Sequence, residues 1–419
     1  MLEDFAETIA EIEGLNISPA KSGLGNLLAN ARFRFTEVLC QLWKADADIL
    51  PKLEDWTLDP VDPSNTLFIN DIVLFHKSNA RLAYLVAGGK DSLPGTTRPK
   101  DSLVKPEFVA RIKASFMDAL KTSLEGMVQI AFNTYEPLEP GFETGSKAVT
   151  GSNLTIDVTQ LVSILRPLKR IISAEQTYVD PQDTRLLLTV TSILQLNQNL
   201  LPSLLKQFGE AYQLSLKDET KQLKDLCQRI DHILFDDYVI RKGDDICRIL
   251  KDGILGVDWQ NLPKPTDVHP FIYEALLALV QIHAQVRAVA KQLVDRVIVA
   301  LLEKVTNQTL KNFRKVEVFG MGGMLQATLE VEFMHQTLAQ FVSPAAEKTL
   351  KQVYETISER YRRKSSEENE LLKQELETVK KTLVTSRKAT ALQFLCFRRT
   401  RTKEREKEKE ESSPSKSRS

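Results

Sequence analysis

In the first half of residues 270–361 the chain carries a long apolar stripe. Apolar or small side chains recur at Ile272, Leu276, Leu279, Val286, Ala290, Leu293, Val297, Leu301 and Val305, in the three- and four-residue steps of an α-helix rather than the alternation of a strand. Pro270 suits a first helical position, and the next punctuation is Gly320, Met321, Gly322 and Gly323. The pattern therefore predicts one unbroken helix between them. A helix of about 40 residues would extend about 60 Å, longer than a small compact domain is wide. An elongated rod is the expectation.

The same period recurs elsewhere. Leu28, Phe33, Phe35, Val38, Leu39, Leu42 and Trp43 predict a helix over 25–56, closed by turn-forming residues before a second segment at 67–86. Ile112, Phe116, Leu120, Leu124 and Val128 predict another over 109–135. Stretches rich in Pro, Gly and Ser at 88–106 and 137–152 read as loops. Helical segments are expected at 155–174, 184–215, 220–252 and 324–341, then a further helix with Ser343 as N-cap and Pro344 at its first position. Beyond residue 363, Leu372, Leu376, Val379 and Leu383 keep a heptad-like spacing among Glu and Lys, too short for a coiled coil of its own. Sustained two-residue alternation is missing, so the fold class is all-α: an elongated rod of stacked helical hairpins or bundles, with a disordered charged C-terminal tail. The expected divisions are a rod segment at 1–252, a C-terminal bundle at 253–362, a helix or short coiled-coil extension at 363–397, and the tail at 398–419.

Composition narrows the function classes. Hydrophobic residues at 42% are enough for a real core. The 56 Lys and Arg balance 56 Asp and Glu, so no overall field steers nucleic acid towards the molecule and any basic surface is local. Cys40, Cys227, Cys247 and Cys396 never fall in a metal-type or redox spacing, and read as reduced thiols of a cytoplasmic protein. The first residues form a short acidic amphipathic pattern rather than a positive leader. Charged residues interrupt the most apolar window, 274–302, which excludes a membrane-spanning reading there.

Candidate chemistry is sparse. Glu332 and His335 have the E-x-x-H spacing that supplies two ligands in di-iron bundles, but no second such pair exists, and a structural histidine is the simpler reading. His283 sits on the apolar stripe and reads as a core residue. The Gly320–Gly323 cluster lacks the Lys-Ser/Thr of a phosphate-binding loop and reads as a tight turn between helices. Asp236, Asp237, Asp244 and Asp245 flank Arg241 and Lys242, a pattern of local salt bridges on a solvated face. No catalytic residue, metal site or cofactor is expected. Arg398, Arg399, Arg401, Lys403 and Arg405 form the strong basic run and are the candidate contacts to anionic lipid headgroups, at about 1 kcal/mol per charge near a membrane.

Two stretches, DWQNLPKPTDVHPFIYEALLALVQIHAQV at 258–286 and FGMGGMLQATLEVEFMHQTLAQFVSP at 319–344, together with CQLWKADADILPKLEDW at 40–56 and RLLLTVTSILQLNQNLLPSLLKQF at 185–208, resemble the C-terminal part of the Sec five subunit family of the exocyst, most closely its fungal forms. The resemblance covers roughly 33–363. It implies a non-enzymatic subunit of a helical-rod complex that holds secretory vesicles at the plasma membrane before SNARE-mediated fusion. Other exocyst subunits and small GTPases are the implied partners, with peripheral contact to anionic membrane expected from the basic run and no nucleic acid, and the place implied is cytoplasmic with recruitment to sites of secretion. It also implies a longer protein whose N-terminal region carries an intersubunit coiled coil and, in animals, an immunoglobulin-like domain for a Ral-type GTPase; neither is in this sequence. The alternatives are a metal-dependent helical enzyme using Glu332 and His335, or a peripheral lipid-binding protein acting through the basic run.

Overall fold

The structure, a computed structural model, describes residues 23–89, 104–132, 181–361 and 368–398. The helices expected at 1–15 and 155–174 and the tail beyond residue 398 lie outside the described residues. Among the described residues the fold is all-α, as the periodicity predicts. Extended pairing is confined there to two isolated bridges, Leu58 with Thr66 and Phe319 with Tyr361. The chain divides into two compact units, up to and after Phe235.

The first unit contains α1 (Gly23–Ile49), a 3-10 turn at Leu50–Leu53, α2 (Phe68–Val86), α3 (Pro106–Ala131), α4 (Pro181–Gln195), α5 (Leu201–Tyr212) and the start of α6 (Lys217–Leu255). The repeat in α3 puts Ile112, Phe116, Leu120 and Leu124 on one face, and all four are fully buried. Each such side chain contributes about 1.5–3 kcal/mol by leaving water. Phe116 stacks on Phe208 of α5 with centroids 4.1 Å apart. The expected helix over 184–215 is divided by a π turn at Leu196–Leu200. Pro202 comes two residues after it; it lacks the N–H that a continuing α-helix needs, and the wider turn leads the chain into it.

The second unit, which begins within α6, contains α7 (Pro270–Val289), α8 (Val294–Phe313), α9 (Met321–Thr337), α10 (Pro344–Glu359) and α11 (Glu368–Ala389). Here the single long helix is corrected. At Ala290 the backbone turns to φ −143°, ψ 70°, and a 3-10 turn at Lys291–Leu293 leads into α8. All nine stripe residues named above are nevertheless buried. The period thus identified the inward face correctly and missed the break, because Ala290, small and apolar, keeps the spacing of the stripe whether the helix continues or turns. Ser343 caps α10 as predicted, its Oγ accepting the Ala346 N–H at 3.1 Å.

Helix α11 packs within this unit. Val379 and Leu383 of α11 are buried, and Leu372 and Leu376 are half-buried on the same face. Phe394, just past the helix, packs edge-on against Phe333 of α9, with centroids 6.2 Å apart.

Candidate functional site

The two stretches 258–286 and 319–344 meet in space. Between α6 and α7 the backbone of Trp259, Gln260 and Leu262 lies directly on the start of α9. A Cβ added at Gly320, Gly322 or Gly323 would stand 2.2, 2.1 or 1.9 Å from the carbonyl oxygens of Gln260, Leu262 and Trp259 respectively. Gly320 N–H donates to the Trp259 carbonyl at 3.0 Å. The glycines therefore serve close approach of backbone to backbone. The tight-turn expectation is corrected, since Gly320 is the N-cap of α9 and Gly322 and Gly323 are already helical.

Polar side chains fasten the end of this connection. Gln326 Nε2 donates to the Asp267 carbonyl at 2.9 Å and to Glu330 Oε1 at 3.1 Å. Tyr273 and Ser386 hydroxyls both donate to Asp267 Oδ1, at 3.1 and 2.7 Å. Burial works against ionisation of Asp267, but its hydrogen bonds from Ser386, the Val268 N–H and Tyr273 outweigh it and hold the carboxyl below its usual range. His269 Nδ1 hydrogen-bonds Glu330, whose side chain is 1% exposed. The bond to Glu330 raises the proton affinity of the ring, and burial raises that of the Glu330 carboxyl. The pair therefore holds a proton firmly between α9 and the residue before α7. Sequence reasoning did not single out His269 or Glu330, whose partners are 61 positions apart.

Glu332 and His335 are placed by α9 but not as a metal pair. Glu332 accepts the Tyr354 hydroxyl at 2.6 Å and the Gln336 amide at 2.5 Å, while His335 Nδ1 stands 4.0 Å from it. Burial, and then the Glu332 carboxylate, push the Tyr354 phenol up. Among the described residues no group of three or more His, Cys, Asp or Glu side chains is arranged to hold a metal ion. His283 is buried and faces the edge of Phe397 at 5.8 Å; burial lowers its proton affinity. Two of these acidic residues form local bridges, Asp237 to Arg241 at 3.0 Å and Asp245 to Arg248 at 2.9 Å, whereas Asp244 reaches across to Lys304 of α8 at 2.7 Å.

Of the basic run, only Arg398 falls among the described residues. It lines a surface cleft of about 370 Å³ with Gln336, Arg387, Phe394 and Phe397. Arg387 is already engaged there, donating to the Gln336 side chain at 2.6 Å. Leu392 and Leu395 just before the run are 84% and 56% exposed. Arg399, Arg401, Lys403 and Arg405 lie outside the described residues.

The first unit holds a buried polar triad that sequence reasoning also missed. Trp43 Nε1 of α1 donates to His76 Nδ1 of α2 at 3.1 Å, which leaves the proton on Nε2, 3.1 Å from Ser123 Oγ of α3. A Ser–His pair suggests a nucleophile and its base. Here both side chains are fully buried, and burial lowers the His76 pKa to about 3, so the triad ties three helices together. Burial also pushes the Cys227 thiol up to about 11, away from reactivity. Among the described residues no helix is long and apolar enough to cross a membrane.

A family model for exocyst complex component Sec5 matches residues 2–397, which takes in α11 and so reaches past the residues that first suggested the resemblance. The chain is 26% identical over 210 residues to human exocyst complex component 2, covering 50% of this chain and 23% of the human protein. It is 23% identical over 334 residues to the mouse protein of the same name, covering 79% of this chain and 33% of the relative. To Arabidopsis thaliana exocyst complex component SEC5A it is 24% identical over 196 residues, covering 43% of this chain and 18% of that protein. The chain thus spans a third or less of the length of these curated relatives. No solved structure matches it. With the family model covering nearly the whole chain and the two stretches that carry the resemblance packed against each other, this chain belongs to the Sec5 family of exocyst components.

Proposed function

We propose that the chain acts as a non-enzymatic scaffold subunit of the exocyst, in the tethering of secretory vesicles to the plasma membrane before SNARE-mediated fusion. The observation that carries this reading is the family match over residues 2–397. Its polar clusters are consistent with it: the His76, His269 and Glu332 groups each join helices and are spent on structural hydrogen bonds. In this role helix faces contact other exocyst subunits and small GTPases, and the protein works in the cytoplasm at sites of secretion. Affinity purification of the tagged chain from its source cells, read by mass spectrometry, tests it. Co-purification of the other exocyst subunits is expected; their absence overturns the reading.

A second reading assigns Arg398, Arg399, Arg401, Lys403 and Arg405 to contact with anionic lipid. What favours it is the exposure of Leu392 and Leu395 beside the run, since apolar side chains next to basic ones suit a membrane interface. The test is flotation of the full chain with anionic vesicles against a variant carrying Gln at the five positions. Removing everything after residue 363 would also strip α11 from the second unit and is the wrong comparison. Equal flotation of chain and variant sinks the idea.

A further inference from the structure

Helix α1 has two apolar faces. One carries Thr36, Cys40, Trp43 and Ala47, all buried within the first unit. On the other, Leu28, Ala31, Phe35, Val38, Leu42, Ala45 and Ile49 follow one another in steps of three and four residues without a miss. That is an a/d heptad seam running along the helix. It is open: Phe35, Val38, Leu42 and Ile49 are 67, 51, 54 and 42% exposed. A surface of this kind fits another helix laid along it.

We propose that the occupant is α1 of a second copy, running antiparallel about a two-fold axis level with residue 40. Two features select that partner. In size, antiparallel pairing in this register sets Phe35 against Ala45, Ile49 against Ala31, and Val38 against Leu42, so over the overlapping span 31–49 the bulky Phe35 and Ile49 each meet an alanine, while Leu28 lies beyond the overlap. In charge, Arg34, whose side chain is 80% exposed and lies 3.5 Å from Glu37 of the same helix, flanks the seam near one end, and exposed Asp48 flanks it near the other. The same register brings Arg34 of each copy to Asp48 of the other, twice per dimer, as a self-complementary interface requires. Arg32 and Asp46, which also have partners within their own chain, repeat the sign pattern on the other flank. Parallel pairing would instead stack Phe35 on Phe35 and Ala45 on Ala45, and would face Arg34 with Leu39. The proposal goes beyond assembly with other exocyst subunits and does not depend on it.

Sedimentation velocity of the full chain over a wide concentration range tests the inference. The expected result is a monomer–dimer equilibrium that Leu42→Glu abolishes without changing the circular dichroism spectrum. Arg34→Asp and Asp48→Arg should each weaken the dimer about tenfold, through two like-charge contacts per dimer. Mixing the two single variants should restore affinity, because each then supplies the charge that the other lacks; the double variant should dimerise like the parent. A chain that stays monomeric throughout overturns the proposal, whatever else covers the seam. A dimer indifferent to Leu42→Glu, or one that the mixed variants fail to restore, overturns it as well.

Discussion

Gly323 in the first turn of α9 faces the carbonyl oxygen of Trp259 so closely that a methyl group on it would come within 1.9 Å. Backbone cannot retreat as a side chain can. Gly323→Ala should therefore destabilise the second unit by about 1–3 kcal/mol or more, the range for overpacking a close contact. Gly23→Ala, at the open start of α1 with nothing within 4 Å, is the control and should change little. Thermal unfolding of both variants checks the difference.

His76 supplies a pH dependence. Its folded pKa is lowered from 6.5 to about 3 by burial, so the unfolded chain takes up the proton first. The neutral ring's contribution is complete above about pH 6.5 and is lost as pH falls towards 3. At pH 5 the loss should reach roughly 2 kcal/mol. His76→Gln should be less stable at pH 7, where it loses packing, yet show a flatter decline in melting temperature between pH 7 and pH 5.

Glu54 acts in the opposite direction. Burial raises its pKa to about 7, and its Oε1 accepts the N–H of Trp56 at 2.7 Å, a residue held at φ 59°. An acid with a raised folded pKa favours the fold fully below its unfolded pKa near 4.5, and this advantage disappears as pH rises through 7. Glu54→Gln, which cannot ionise, should therefore gain on the parent by about 1–3 kcal/mol between pH 5 and pH 8. Parallel denaturant titrations at the two pH values measure it.

Ser343→Ala removes the hydroxyl that accepts the Ala346 N–H and also meets Glu303 of α8. Loss of such a cap costs about 1 kcal/mol. A lower denaturation midpoint with unchanged slope is expected, and Ser343→Asn, which can still cap, should recover part of it.

Much of this fold was legible because helices declare their buried face by period. The nine stripe positions between Ile272 and Val305 belong to the core by their spacing alone, and the Ser343 cap was readable from Ser-Pro alone. Ala290 was not, since a small apolar residue on the stripe looks the same whether the helix continues or turns. The glycines at 320–323 announced punctuation, but the carbonyls they accommodate come from a connection some 60 positions earlier. His76, His269 and Glu330 were invisible for the same reason: each is defined by partners distant in sequence. The basic run was read as residues in a row, and a row alone does not show what it meets.

The break at Ala290 has a consequence for which changes the chain tolerates. Lys291 and Gln292 are exposed, so their side chains are open to exchange. Their number is not. Each residue added or removed there would rotate α8 by about 100° about its axis, swinging Val297, Leu301 and Val305 out of the core together. Related sequences should thus vary freely in letter at this joint and hardly at all in length.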